Sequence, residues 1–207
     1  MYIDYEKLEK ILGFGKEFFY NLKVKQNLHY IEKNQKRVLK KLKNKTPLRV
    51  LFYVYDESKW KSQSVYDLME QDEHFNPTVV VTKNCAVEGN ANFQTEEEVK
   101  KCYDFFKNKG MNVQYGYKFS SIPSLGCKVN ELERFIPLET FKPDIIIYSH
   151  PWYVFKTQGP VVCSKFALTY YVPYFIPASE QWHEYGLRFH KYVYKHYLPT
   201  ELTKEFY

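Results

Sequence analysis

No run of about 18 apolar residues occurs in this chain, so nothing in it can cross a bilayer as a helix. The N-terminus opens with acidic residues and lacks the apolar core of a secretory signal. The four cysteines, Cys85, Cys102, Cys127 and Cys163, are widely spaced with no CxxC pair. That spacing argues against a disulfide framework, a zinc ribbon and a dithiol redox motif, and fits reduced thiols in a cytoplasmic protein. HExxH and GxSxG are absent, and His183, His190 and His196 do not match the spacing of metal-ligand pairs. No metal and no cofactor are therefore expected. Glycine is missing where it would matter most. The segment Asp56–Ser64, which follows the first long apolar run, contains none. Dinucleotide and P-loop sites need glycines there so that backbone amides can approach phosphate, which argues against an NAD or ATP site.

What is present describes a folded domain. Hydrophobic residues make up 44% and charged residues 26%, enough for a substantial core. Aromatics reach 19%, with 20 Tyr and 16 Phe. An AT-rich genome accounts for such a composition, and so does a surface that stacks on sugars or bases. The net charge of +6 is unevenly placed: residues 1–50 hold 13 Lys/Arg against 5 Asp/Glu, and the remainder is slightly acidic. A basic excess confined to one end suggests contact with an anionic surface and argues against a nucleic-acid-binding domain.

Residues 2–45 carry apolar positions at three- and four-residue steps, which predicts helix, broken near Gly13–Gly15 or near Asn27 and stopped by Pro47. Strand and helix signals then alternate. Strands are expected at Arg49–Tyr55, Thr78–Thr82, Asn112–Tyr117, Asp144–Tyr148 and Leu168–Ile176, the last interrupted by Pro173. Helices are expected at Ser64–Asp72 with Ser64 as N-cap, Thr95–Lys109 with a Thr95/Glu98 capping box, Val129–Phe135, Pro160–Ala167 and Glu184–Tyr197. The pattern predicts an α/β fold: a Rossmann-like parallel sheet of about five strands flanked by helices (residues 48–207), preceded by a basic amphipathic helical extension (residues 1–47).

Ligands of open parallel sheets bind beyond the carboxyl ends of the strands. After the first strand, Ser58, Ser62 and Ser64 offer hydroxyls and Trp60 a stacking face, the groups expected around a sugar or polyol; the same serines also suit helix capping. The fourth strand runs into Ser149-His150-Pro151-Trp152. An imidazole at such a rim can take a proton from an attacking hydroxyl, and Trp152 supplies an apolar wall; a histidine bonded to a neighbouring loop fits the same pattern. Glu180 lies on the rim after the fifth strand.

Four segments resemble a known family. Lys142–Trp152 (KPDIIIYSHPW), Ser164–Tyr174 (SKFALTYYVPY) and Phe189–Lys195 (FHKYVYK), with Arg49–Ser64, are similar in order and spacing to the N-terminal halves of bacterial CDP-glycerol glycerophosphotransferase-like proteins. Where that family often has glycine after its VPY, this chain has Phe175. The resemblance implies one half of a GT-B transferase of teichoic acid or capsular polysaccharide synthesis, working at the inner face of the membrane. It implies His150 as catalytic base; the acceptor would then be held by the rim residues named above, Ser58, Trp60, Ser62, Ser64, Trp152 and Glu180. Lys36, Arg37, Lys40, Lys41 and Lys43 would meet the membrane or a polyanion. A donor-binding C-terminal domain or adjacent gene product would be the partner, an anionic or lipid-linked glycan the acceptor, and the chain alone would be inactive. The competing expectation is a non-catalytic module that binds a glycan or a partner. A small nucleotide-binding protein is the weakest alternative, because the glycines are missing.

Overall fold

A computed structural model describes residues 16–86, 90–91, 93–119, 133–175 and 187–201. Its centre is a six-stranded, all-parallel sheet of β1 (Leu48–Val54), β2 (Phe75–Val81), β3 (Val113–Tyr115), β4 (Ile145–Tyr148), β5 (Leu168–Tyr171) and β6 (Lys195–His196). The spatial order is β3-β2-β1-β4-β5-β6. This is the doubly wound, Rossmann-like order, in which successive crossovers run outward from β1 in one direction and from β4 in the other. The expected fold class is therefore present, with one strand more than the sequence suggested.

The central strands are buried on both faces, as their unbroken apolar runs require. Val50, Phe52, Val54, Val79 and Val81 point to one side, against Tyr66 of α2 (Gln63–Gln71) and Val99, Cys102 and Phe106 of α3 (Glu96–Asn108). Leu51, Tyr53, Val80, Ile146 and Tyr148 point to the other, against Leu138, Cys163 of α4 (Pro160–Cys163) and Tyr171. The Thr95/Glu98 capping box is fully formed at the start of α3, and Gly110, at φ 77°, follows its end.

Helix α1 (Lys16–Leu42) runs without a break through Asn27 and ends before Pro47 is reached. Asn27 is accommodated because its side-chain amide donates to the Tyr192 hydroxyl at 3.4 Å. Ile31, Asn34 and Val38, at three- and four-residue steps, form the buried face, and Asn34 Nδ2 donates to Ser164 Oγ. Just beyond the helix, Lys45 Nζ donates to both oxygens of the buried Asp144, which also accepts from the Arg49 backbone N–H at 2.9 Å. The extension is thus fastened to the sheet at both the helix and its exit. No described helix is long and apolar enough to cross a membrane.

Other boundaries differ from expectation. Helix α2 is capped two residues earlier, so Ser62 holds the N-cap position without a side-chain cap bond, and Ser64 lies inside the helix. The helix expected over Val129–Phe135 falls mostly outside the described residues, and Phe135 forms an antiparallel bridge with Tyr117. The expected final helix is only α5 (Arg188–Tyr192); the chain then extends into β6, where the Tyr194 N–H donates to Thr169 O. Val193, just before β6, joins the core. Strand β5 stops at Tyr171, two residues before Pro173.

Candidate functional site

The crossovers leave β1 and β4 in opposite directions, so a crevice opens above their carboxyl ends. A cleft of about 600 Å³ occupies this position. Its floor and near wall come from Tyr55 and the turn Asp56–Lys59 after β1. Asn84 after β2, with Phe93, Gln94, Glu98 and Lys101 at the start of α3, forms a second wall. Trp152, Tyr153 and Tyr174, from the segments after β4 and β5, complete it.

The β1 turn is shaped by its own side chains. Asp56 caps it, accepting from the Ser58 N–H at 3.0 Å and from Ser58 Oγ at 2.7 Å. Lys59 Nζ lies 3.2 Å from the other Asp56 oxygen. Burial works to raise the Asp56 pKa, but the bonds from Ser58 and Lys59 outweigh it and hold the carboxyl below its ordinary value. Asp56 is therefore an ionised acceptor facing the cleft. Gln94 ties the walls together: its amide donates to Tyr55 O, and its Oε1 accepts from the Asn84 N–H at 2.9 Å. Tyr153 adopts a left-handed backbone at φ 52°, a conformation that costs a bulky residue about 1–2 kcal/mol. The Cys85 N–H donates to its carbonyl at 3.0 Å, which fastens the loop in place.

His150 follows β4 as the sequence reading placed it, but it does not reach the cleft mouth. Its imidazole is 1% exposed and is not among the residues lining the cleft. It sits beneath them, between the rings of Tyr55 at 4.4 Å and Tyr174 at 5.0 Å. Neither ring nitrogen has a hydrogen-bond partner among the described residues. Burial, reinforced by the nearby Lys59 charge, lowers its pKa to about 3. In this conformation the group is neutral, covered and a weak base. The reason is its position at the very end of a core strand, where two tyrosines from neighbouring strand ends close over it.

The other expected site residues divide. Ser58 and Trp152 line the cleft. Trp60 packs into the core, edge-on to Phe52 at 5.5 Å and Phe106 at 5.0 Å, with its indole N–H donating to Gln63. Burying the indole there gains more than leaving it as an open stacking face. Ser62 is buried and Ser64 lies on α2; neither lines the cleft. Glu180 and His183 lie outside the described residues. Of the basic residues on and after α1, Lys36 pairs with Glu32 at 2.7 Å and Arg37 donates to Lys165 O at 2.7 Å, while Lys40, Lys41 and Lys43 are exposed. No group of three metal-ligating side chains occurs among the described residues.

Sequence reasoning missed Asp56, Lys59, Glu98, Lys101, Tyr153 and Tyr174 as cleft residues. The capping box marked the start of α3, and the rule that ligands sit beyond strand ends could have placed Glu98 at the rim. Nothing in the sequence signals the backbone of Tyr153. No protein-family model matches the chain, and no curated protein or solved structure does so either.

Proposed function

We propose that this domain binds a hydroxyl-rich acceptor in the cleft above β1, β2 and β4. It would act as the acceptor half of a two-lobed transferase that moves glycerol phosphate or a sugar from a nucleotide-activated donor to a surface-polymer precursor. The cleft carries this reading. It stands at the switch point of a doubly wound sheet, mixes carboxylates and a hydroxyl with aromatic walls, and is entered from β1 by a turn without glycine. A nucleotide donor would need a different phosphate-binding surface, hence a second lobe. In this reading His150 lies beneath the floor of the site: it packs Tyr55 and Tyr174 into place, and proton transfer belongs to a group the partner lobe or the acceptor complex supplies. The exposed lysines Lys40, Lys41 and Lys43 would face an anionic membrane or glycan.

The covering of His150 also favours a second reading, a binding module without catalysis. A transfer assay with CDP-glycerol and several nucleotide sugars, run on this chain with and without the adjacent gene product, tests both. Transfer that needs both components supports the transferase half. Acceptor binding without transfer in either arm leaves the binding module, and the absence of both removes the cleft reading. In an active pair, His150→Phe should keep turnover within about threefold, whereas a general base in that position would lose about 100-fold or more.

A further inference from the structure

From the charge and shape of the cleft we infer that it takes an uncharged, hydroxyl-rich part of its ligand, a pyranose ring or short neutral glycan, and excludes phosphate. This rests on the reading of the cleft as an acceptor site and narrows its substrate class. Among the described residues, the formal charges on the lining are three carboxylates, Asp56, Glu57 and Glu98, against two lysines, Lys59 and Lys101. Both lysines are engaged. Lys59 pairs with Asp56 at 3.2 Å and lies over the rings of Tyr55 and Tyr174 at 5.6 and 5.7 Å. Lys101 pairs with Glu57 at 3.0 Å. The Lys101 side chain is exposed and its pair is weak, so a phosphate could draw it away, but the phosphate would then stand beside Glu57.

The usual backbone device for phosphate is also partly taken. The N-terminus of α3 reaches the cleft through Glu98, but Thr95 Oγ1 already accepts from the Glu98 N–H and the Glu98 carboxylate from the Thr95 N–H, and Glu96, Glu97 and Glu98 place three negative charges in its first turn. The positive end of that helix dipole is answered from within the chain.

The same lining suits a neutral sugar. Trp152, Tyr153 and Tyr174 present aromatic surface on which the apolar C–H face of a pyranose can lie. Hydroxyl groups donate strongly to ionised carboxylates, and Asp56 is held ionised at the centre of the β1 turn. The strained backbone of Tyr153, fastened through Cys85, fixes one of these walls before any ligand arrives.

Saturation-transfer NMR on the full chain, backed by tryptophan fluorescence, tests this. The probes are lactose, N,N′-diacetylchitobiose, maltotriose and sn-glycerol 3-phosphate, each at about 20 mM and about 200 mM salt, where screening differs strongly. At least one saccharide should bind, with affinity that is unchanged within about twofold between the two salts. Trp152→Ala and Asp56→Asn should each weaken it about tenfold, as loss of a stacking face or a charged acceptor does. Lys107→Gln, at the exposed end of α3 outside the cleft, should leave it within about twofold. Salt-sensitive binding of glycerol 3-phosphate that disappears in Lys101→Gln overturns this inference and leaves the proposed function standing. If none of the four probes binds, both fall.

Discussion

His150→Phe should make the domain more stable in acid. Phenylalanine keeps a flat ring between Tyr55 and Tyr174 and removes two nitrogens that have no partner among the described residues. The pH dependence gives the sharper test. Burial lowers the His150 pKa from 6.5 to about 3. As pH falls below 6.5 the unfolded chain takes up a proton on this side chain and the folded chain does not, so stability is lost through that window and the loss ends near pH 3. The slope is about 1.4 kcal/mol per pH unit, which gives about 2 kcal/mol between neutrality and pH 5. With a urea slope of about 2 kcal/mol per molar, the wild-type midpoint should fall about 1 M further than the variant's over that interval. Carboxylates and other histidines, including the exposed His74 whose pKa Asp72 raises, titrate in both proteins and cancel in the difference. Equal falls in the two midpoints would refute the burial argument, and with it the assignment of His150 to a place beneath the floor of the cleft.

Two further substitutions probe how the floor is built. Gln158 is fully buried and uses its whole hydrogen-bonding capacity: Oε1 accepts from Tyr53 and Thr82, and Nε2 donates to Gly116 O and Ile136 O. Gln158→Met keeps the length but strands several of these groups, so a loss of about 3 kcal/mol or more is expected in urea unfolding; a loss under about 1 kcal/mol would contradict the network. Gly116 passes so close to β2 that an added Cβ would meet Val80 Cγ1 at 2.8 Å, and Gly116→Ala should cost about 1–3 kcal/mol, read from the thermal midpoint.

The fold was legible in this sequence because its signals are local and redundant. β1 declares itself by the apolar run Val50–Val54, α3 by a capping box and a glycine just past its end, and α4 by a proline at its first turn. What failed were endings decided by tertiary packing. Tyr192 to Tyr197 carries the same aromatics whether it winds or extends, and only pairing with Thr169 and Tyr171 chooses extension. The strand-end rule located the cleft, but it could not say which side chains would turn inward. Trp60 and His150 are the instructive cases: both sit one or more residues past a core strand, where sequence suggests a rim, and both are drawn below it by aromatic neighbours from other strands. In a chain with 36 Tyr and Phe residues, any flat polar ring near a strand end has such neighbours available. The charged groups at the surface of the cleft, Asp56, Glu57, Lys59, Glu98 and Lys101, are too strongly hydrated to follow, and they stay there beside the aromatic walls. Their balance of charge therefore carries more information about the ligand than the imidazole that first drew attention to the site.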